Sequence, residues 1–276
     1  MRIHKLTSTD AFVAIDLEDA EASSGPARWA RKVLQGGAKD LARSQTYTYA
    51  VLNMRRGGAS AGISAEAADR DDAVQAFVGE VADLAADGTY LPDAAKGVAE
   101  ADLARLREAD PRDTARLAGD RSSFVDRCEG VGAAVCAYHS AGGLDGRTVA
   151  IEGFGASGGH LAAAAIERGA TVTAIATATG SVTSAAGFEA QALLDGWAAD
   201  GAELVNGLGE VGHPMAIFGA GADVVFAGSK RCVVNHGVAA QLEQAAAVVA
   251  GGRLPLTAAA RGVLRGAGVA APAELL

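Results

Sequence analysis

The sequence has few aromatic residues and few cysteines, and both shortages limit the classes of protein to which it can belong. Of its 276 residues 5% are aromatic, and the three cysteines are Cys128, Cys136 and Cys232. An odd number of cysteines without metal-type spacing argues against a disulfide framework and against a zinc site. We therefore expect no bound metal and a cytoplasmic, reducing environment.

Long apolar runs and an excess of positive charge are also missing. Charged residues interrupt the apolar stretches, so none is long enough to cross a bilayer, and the first residues lack the apolar segment of a signal peptide. The formal net charge is −9 at pH 7, which disfavours binding to a phosphate backbone. We expect neither a membrane nor a nucleic acid as a partner, and a small molecule remains.

Small residues are abundant, with 36 glycines in a chain that is 50% hydrophobic. This composition is typical of helix–sheet packing in an α/β protein. The glycine-rich segment 142–146 predicts a boundary between a domain of residues 1–141 and a domain of residues 142–276. In the first half we predict strands at 12–17 and 49–54, helices at about 29–47, 71–86, 99–107 and 124–140, and a break at 111–113.

Strands and helices alternate after Gly146. The predicted strands cover 148–152, 171–176 and 223–226, and the predicted helices cover 159–168, 189–199 and 238–247. This alternation indicates parallel strands joined by right-handed helical crossovers.

One glycine turn lies between the first of these strands and its helix. It reads Gly153-Phe154-Gly155-Ala156-Ser157-Gly158, the G-x-G-x-x-G pattern of a Rossmann dinucleotide-binding unit in its expected context. The first glycine allows the tight turn, the second lets the backbone approach a pyrophosphate, and the third allows close helix packing. A glycine-rich turn without a ligand is the alternative.

The residue that usually binds the ribose is missing. A carboxylate is expected at the end of the second strand, but the segment 176–180 holds no carboxylate and no arginine. Thr177 is the candidate that remains there. The coenzyme is therefore NAD or NADP, and the sequence does not choose between them.

Several segments together resemble the glutamate/leucine/phenylalanine/valine dehydrogenase family. The resemblance implies an N-terminal α/β substrate and oligomerisation domain, a C-terminal Rossmann domain, a cleft between them, a homo-oligomer, and hydride transfer between an amino acid and a nicotinamide. The segments that carry it are 146–155 (GRTVAIEGFG), 25–27 (GPA), 57–63 (GGASAGI), and 256–272 with Leu256, Thr257, Leu264, Gly268, Val269 and Pro272.

The resemblance places the family's chemical residues on unexpected residue types. The activating lysine falls at Ser60 and the carboxylate-binding lysine at Thr48. The acid/base aspartate falls at Ala95 in direct register, and at Asp93 if the loop shifts by two. Serine and threonine supply neither a positive charge nor a lysine-like pKa.

Other residues are candidates for the missing roles. Trp29 stands where the family has glycine, and Arg55 offers a guanidinium for an anionic substrate, with a solvated surface pair with Arg56 as the alternative. Asp93 and Lys96 form a proton donor and acceptor or a surface ion pair. We take Ser60, Asp93 and Lys96 as candidate catalytic residues and Thr48, Arg55 and Trp29 as candidate substrate-binding residues.

Two functions follow from an intact glycine turn beside altered substrate chemistry. The first is an NAD(P)-dependent oxidoreductase of amino-acid-dehydrogenase architecture that reduces an imine, enamine or carbonyl of a small molecule in specialised metabolism. The second is a catalytically silent homologue that senses nucleotides or has a structural role. Use of the coenzyme for non-redox chemistry is a third reading.

Overall fold

The computed structural model describes residues 1–108 and 121–273, and these two ranges form two compact units. The predicted break at 111–113 lies outside the described residues. Below, residues 1–108 are the first unit and residues 121–273 are the second unit.

The first unit is the predicted α/β domain, and it is built on a mixed sheet. Strands β1, β2 and β4 are antiparallel neighbours, and β3 runs parallel to both β4 and β5 in the order β1-β2-β4-β3-β5. The strands are β1 (Arg2–Lys5), β2 (Ala11–Ile15), β3 (Ser23–Ala30), β4 (Gly57–Ser64) and β5 (Leu91–Ala94), and the helices are α1 (Gln35–Val51), α2 (Arg70–Glu80), α3 (Ala82–Ala86) and α4 (Ala104–Arg107).

The two faces of this sheet are covered by different helices. Side chains alternate along a strand, so Ala59, Ala61 and Ile63 of β4 share one face and pack into a core with Phe77 of α2. On the other face α1 lies very close to the backbone of β4. A Cβ added at Gly58 would lie 2.0 Å from the carbonyl oxygen of Ala42, which is why glycine is required there.

Two predictions for the first unit were wrong. The helix predicted at 29–47 begins at Gln35, because Trp29 belongs to β3. The strand predicted at 49–54 is the last turn of α1 and the turn that follows, and its apolar residues Val51, Leu52 and Met54 are exposed. The glycine segment 57–63 forms most of the central strand β4.

The second unit has the predicted Rossmann-type α/β architecture. Its strands run in the order β10-β9-β6-β7-β8, with the first four parallel and β8 antiparallel to β7. The strands are β6 (Thr148–Glu152), β7 (Thr171–Ala176), β8 (Ser181–Thr183), β9 (Val224–Ala227) and β10 (Ala247–Ala250), and the helices are α5 (Arg121–Ser140), α6 (Ala156–Ile166), α7 (Ala190–Asp200), α8 (His236–Ala239) and α9 (Ala258–Gly266).

Helix α5 belongs to the second unit, although the sequence boundary was placed after it at Gly142. It packs on α6 so closely that a Cβ added at Gly130 would lie 2.6 Å from the carbonyl oxygen of Ser157. The domain boundary at 141/142 stays a prediction.

The helix predicted at 238–247 was wrong in its second half. Helix α8 ends at Ala239, a short 3-10 turn follows over Ala240–Leu242, and β10 begins at Ala247. All four residues of β10 are buried. An alanine-rich segment has helical propensity, but burial against β9 favours the strand.

Candidate functional site

The glycine turn connects β6 to α6, and each of its glycines has a distinct geometric role. Gly153 has φ +78°, a conformation that favours glycine, and a Cβ added there would lie 2.2 Å from the backbone nitrogen of Ser229. At Gly155 the nearest atom to an added Cβ is the Gly153 carbonyl oxygen at 3.8 Å. The space next to Gly153 is therefore filled by the chain itself, whereas the space next to Gly155 is open.

The third glycine, Gly158, lets α6 pack on its own turn. A Cβ there would lie 2.9 Å from the ring of Phe154. That ring is 3% exposed and meets Trp197 edge-to-face at 6.1 Å between ring centroids. The Phe154 ring lies in the core, and the Phe154 backbone N–H donates to the Ala176 carbonyl at 2.7 Å, so neither group is available to a ligand. Contact between Phe154 and a coenzyme stays a prediction.

Helix α6 begins directly after Gly155 of the glycine turn. Helix geometry leaves the first N–H groups of Ala156 and Ser157 without an intrahelical acceptor, whereas the Gly158 N–H donates to the Gly155 carbonyl at 2.9 Å. Free N–H groups and the helix dipole favour an anion here. The residues present therefore fit the pyrophosphate of a dinucleotide.

Thr177 follows β7, where a ribose-binding residue is expected. It is 4% exposed, and its hydroxyl donates to the carbonyl of Ala202 at 2.8 Å. Thr179 donates to the same carbonyl at 2.7 Å. The Thr177 hydroxyl hydrogen is already used within the fold, so this side chain can only accept a hydrogen bond from a ribose.

A second loop, which the sequence reasoning missed, borders the glycine turn. Residues 228–231 follow β9, and we call them the β9 loop. The carboxylate of Glu152 accepts hydrogen bonds from the N–H groups of Gly228 at 2.9 Å and Ser229 at 3.2 Å. Strands β6 and β9 are neighbours at the point where strand order reverses, and such a switch point is where open α/β sheets bind ligands.

In the first unit, Ser60 and Asp93 lie on one face of the sheet. The buried Ser60 hydroxyl donates to the Pro26 carbonyl at 3.3 Å, and Pro26 is the register partner of Asp93. The Cα atoms of Ser60 and Asp93 are thus about 10 Å apart across two strand spacings. Nearby, burial raises the pKa of Tyr90 above its usual range, so this phenol stays neutral.

Lys96 and Trp29 meet at the end of β5. The backbone N–H of Trp29 donates to the Lys96 carbonyl at 2.9 Å, and a Cβ added at Gly97 would lie 2.8 Å from the Trp29 indole ring. The Lys96 side chain is exposed. The structure therefore brings Trp29, Asp93 and Lys96 to the same part of the first unit.

Thr48 and Arg55 occupy other places. The buried Thr48 hydroxyl donates to the Ser44 carbonyl at 3.2 Å within α1. Arg55 precedes β4 and lines a surface cavity of about 360 Å³ together with Arg56, Asp19, Glu21, Leu17, Ala20, Thr46, Ala50 and Met54. Acidic side chains share this cavity, so it does not attract an anion alone.

Residues 1–108 and 121–273 contain no cluster of His, Cys, Asp and Glu side chains that could hold a metal ion. Within the same ranges, no helix has the length and hydropathy needed to cross a membrane.

A mixed-sheet unit joined in sequence to a Rossmann-type unit with an intact glycine turn defines a two-unit protein of dinucleotide-binding architecture. The model of the Glutamate/Leucine/Phenylalanine/Valine dehydrogenase family matches residues 129–274, more than half of the chain. The chain belongs to this family, and the resemblance seen in the sequence is confirmed. A search of curated proteins gives no match.

Solved structures of glutamate dehydrogenases share the fold over most of this chain. The hetero-hexameric enzyme of Thermus thermophilus in its leucine-bound form is 22% identical with a TM-score of 0.76, covering 96% of this chain and 67% of that chain. The Plasmodium falciparum enzyme is 16% identical with a TM-score of 0.74, covering 95% of this chain and 62% of that chain. The Peptoniphilus asaccharolyticus enzyme is 16% identical with a TM-score of 0.68, covering 99% of this chain and 73% of that chain. This chain spans roughly two thirds of its relatives' length, with their architecture.

Proposed function

We propose that this protein is an NAD(P)-dependent oxidoreductase that acts on an imine, enamine or carbonyl of a small molecule other than a standard amino acid. The observation that carries the proposal is the open space above Gly155, which the backbone leaves beside the free N–H groups of α6. The bound nicotinamide would supply or accept the hydride, and NAD and NADP both fit the turn.

The substrate side of the proposal rests on the first unit. Ser60 and Thr48, at the positions of the family's two lysines, are buried and engaged with backbone carbonyls. Neither can hold a substrate carboxylate by charge or activate water as a lysine amine does. A substrate without an α-carboxylate fits these residues better than an amino acid.

We assign proton transfer to Asp93, near the end of β5, with Lys96 of the turn that follows as its partner. Asp93 lies in register with Pro26, so it shares a row of the sheet with Ser60. A carboxyl group at this position is suited to give or take a proton at the reacting carbon or nitrogen. Trp29 packs beside this turn and would limit the size of the substrate.

Steady-state assays with both coenzymes test the proposal. We expect no efficient oxidation of glutamate or leucine, and turnover with members of a panel of cyclic imines, enamines and ketones. The variant Asp93→Asn should lower kcat for the best substrate, while Asp10→Asn, another aspartate of the first unit, should not. Efficient deamination of glutamate or leucine would refute the substrate assignment.

A catalytically silent nucleotide sensor is the second candidate. It is favoured by Thr177, whose hydroxyl is engaged with Ala202 where a ribose-binding carboxylate is expected. Tight coenzyme binding without hydride transfer over the whole panel would support the sensor and contradict the oxidoreductase. A coenzyme that stays bound through purification without being turned over would point to non-redox use.

We also propose that the first unit mediates homo-oligomer formation. Large apolar side chains are exposed on and beside α1, namely Leu34, Tyr47, Val51, Leu52 and Met54, and the related Thermus thermophilus enzyme is described as hetero-hexameric. Light scattering should give a mass above 27.5 kDa. The double variant Val51→Glu, Leu52→Glu should reduce that mass, and a monomeric wild type would contradict this proposal.

A further inference from the structure

Glu152 is a buried carboxylate for which the glycine turn itself has no use. It is the last residue of β6, directly before Gly153, and is 4% exposed. A buried carboxylate needs hydrogen-bond donors. The donors here are the Gly228 and Ser229 N–H groups, so Glu152 fastens the β9 loop to the end of β6.

The backbone packing around the β9 loop leaves it little freedom. On one side Ser229 lies against Gly153, because a Cβ added at Gly153 would be 2.2 Å from the backbone nitrogen of Ser229. On the other side a Cβ added at Gly228 would lie 2.8 Å from the carbonyl carbon of Gly251, just after β10. The β9 loop is thus wedged between the glycine turn and the end of β10.

The wedged loop presents a cation beside the glycine turn. Lys230 is exposed and follows Ser229 directly in the chain. No carboxylate within the described ranges forms an ion pair with it. The glycine turn offers backbone N–H groups to a pyrophosphate but no charged side chain of its own, so an adjacent ammonium would complete an anion site.

We propose that Lys230 binds the pyrophosphate of a dinucleotide held on the glycine turn, and that Glu152 is the positioning residue that sets the β9 loop for this contact. The inference rests on the proposed coenzyme binding and adds the residue that supplies charge to it. The sequence signal is the run Gly228-Ser229-Lys230-Arg231 immediately after a strand.

The test compares Lys230→Met with Arg265→Met. Both variants remove one positive charge, but Arg265 lies in the last turn of α9. The chain after α9 reaches the amino end of β10, where the Val248 N–H donates to the Ala270 carbonyl at 2.8 Å. Arg265 is therefore near the amino ends of the parallel strands, whereas the glycine turn lies at their carboxyl ends. Calorimetry measures binding of NADH, NADPH, ADP-ribose and AMP at low and high salt.

We expect Lys230→Met to weaken binding of both dinucleotides and of ADP-ribose about tenfold at low salt, the effect of one charge-assisted hydrogen bond. The difference should shrink at high salt because screening weakens the wild-type contact. AMP, which lacks the pyrophosphate, should bind both proteins equally. Equal binding of ADP-ribose by the Lys230→Met and Arg265→Met variants would overturn the inference.

The positioning role of Glu152 has its own readout. Glu152→Gln keeps an oxygen that accepts from both N–H groups, so it should bind ADP-ribose as the wild type does. Glu152→Ala should weaken binding, and adding it to Lys230→Met should cost less than the sum of the two single effects. Full additivity, or Glu152→Gln behaving as Glu152→Ala does, would refute the role. Failure of the wild type to bind any dinucleotide would instead refute the proposed function.

Discussion

Replacing Gly155 by alanine should separate coenzyme binding from folding. Its backbone is extended, with φ −138° and ψ −159°, which an alanine adopts without strain. The new methyl would have no atom nearer than the Gly153 carbonyl oxygen at 3.8 Å. The free energy of unfolding should therefore change by less than about 0.5 kcal/mol, and Tm by less than about 2 °C.

The same methyl should stand where a pyrophosphate approaches the backbone. Overpacking at a fitted contact costs about 1–3 kcal/mol, so the Kd for NADH or NADPH should rise by about 5-fold to 150-fold. Fluorescence titration of the reduced coenzyme measures the Kd, and differential scanning calorimetry measures Tm on the same sample.

Gly153→Ala is the contrasting variant. Its positive φ alone costs an alanine about 1–2 kcal/mol, and the contact at 2.2 Å with the Ser229 nitrogen adds to this. We expect Tm to fall by more than about 4 °C. The reasoning is refuted if Gly155→Ala binds coenzyme as tightly as the wild type, or if it is destabilised as much as Gly153→Ala.

Three further predictions concern the fold that supports the site. Gly58→Ala should destabilise the protein by about 2 kcal/mol or more, since its Cβ would lie 2.0 Å from the Ala42 carbonyl oxygen; an unchanged Tm would contradict the close packing of α1. Phe154→Ala should lower the free energy of unfolding by about 3–5 kcal/mol in denaturant titration, because the ring is 3% exposed; a loss below about 1 kcal/mol would show that the ring is not in the core. The Thr148 N–H and hydroxyl donate to Asp223 and lower its pKa. The contribution of Asp223 to stability is therefore present above the unfolded pKa of about 3.9 and is lost as pH falls through the lower folded pKa. The difference in unfolding free energy between the wild type and Asp223→Asn should shrink below about pH 4, and a difference that does not vary with pH would argue against the contact.

The second unit was predictable from the sequence where the local pattern and the fold agree. Strands β6 and β7 read as short apolar runs bounded by glycine, and the turn between β6 and α6 carries its own motif. Strand β10 was missed because alanine and valine alone do not distinguish a buried strand from a helix. Burial on both faces, which decides the matter, is a property of the assembled sheet.

The first unit was harder to predict because its central strand lacks a hydrophobic run. Strand β4 reads GGASAGIS, and its small residues reflect the close approach of α1 on one face. The apolar residues that look like a strand, Val51, Leu52 and Met54, are exposed at the end of a helix. Sequence periodicity does not show that the small-residue segment is the strand, because the small residues are required by the close packing of the neighbouring helix α1.

The candidate site was predictable in part. The motif identified the glycine turn, and family resemblance directed attention to Ser60 and Asp93, which the structure places on one sheet face. The β9 loop was missed because Glu152 and Lys230 are 78 positions apart in the sequence, and only the parallel pairing of β6 with β9 brings these segments together. Their relation depends on topology rather than on a local motif.

The central claim is that this protein binds a nicotinamide dinucleotide, and calorimetric titration of the wild type with NAD, NADH, NADP and NADPH tests it most directly. The titrations are made at two temperatures, so that a small enthalpy is not mistaken for absence of binding. The account predicts saturable binding of at least one of the four, with one site per chain. No binding of any of them at either temperature would contradict it.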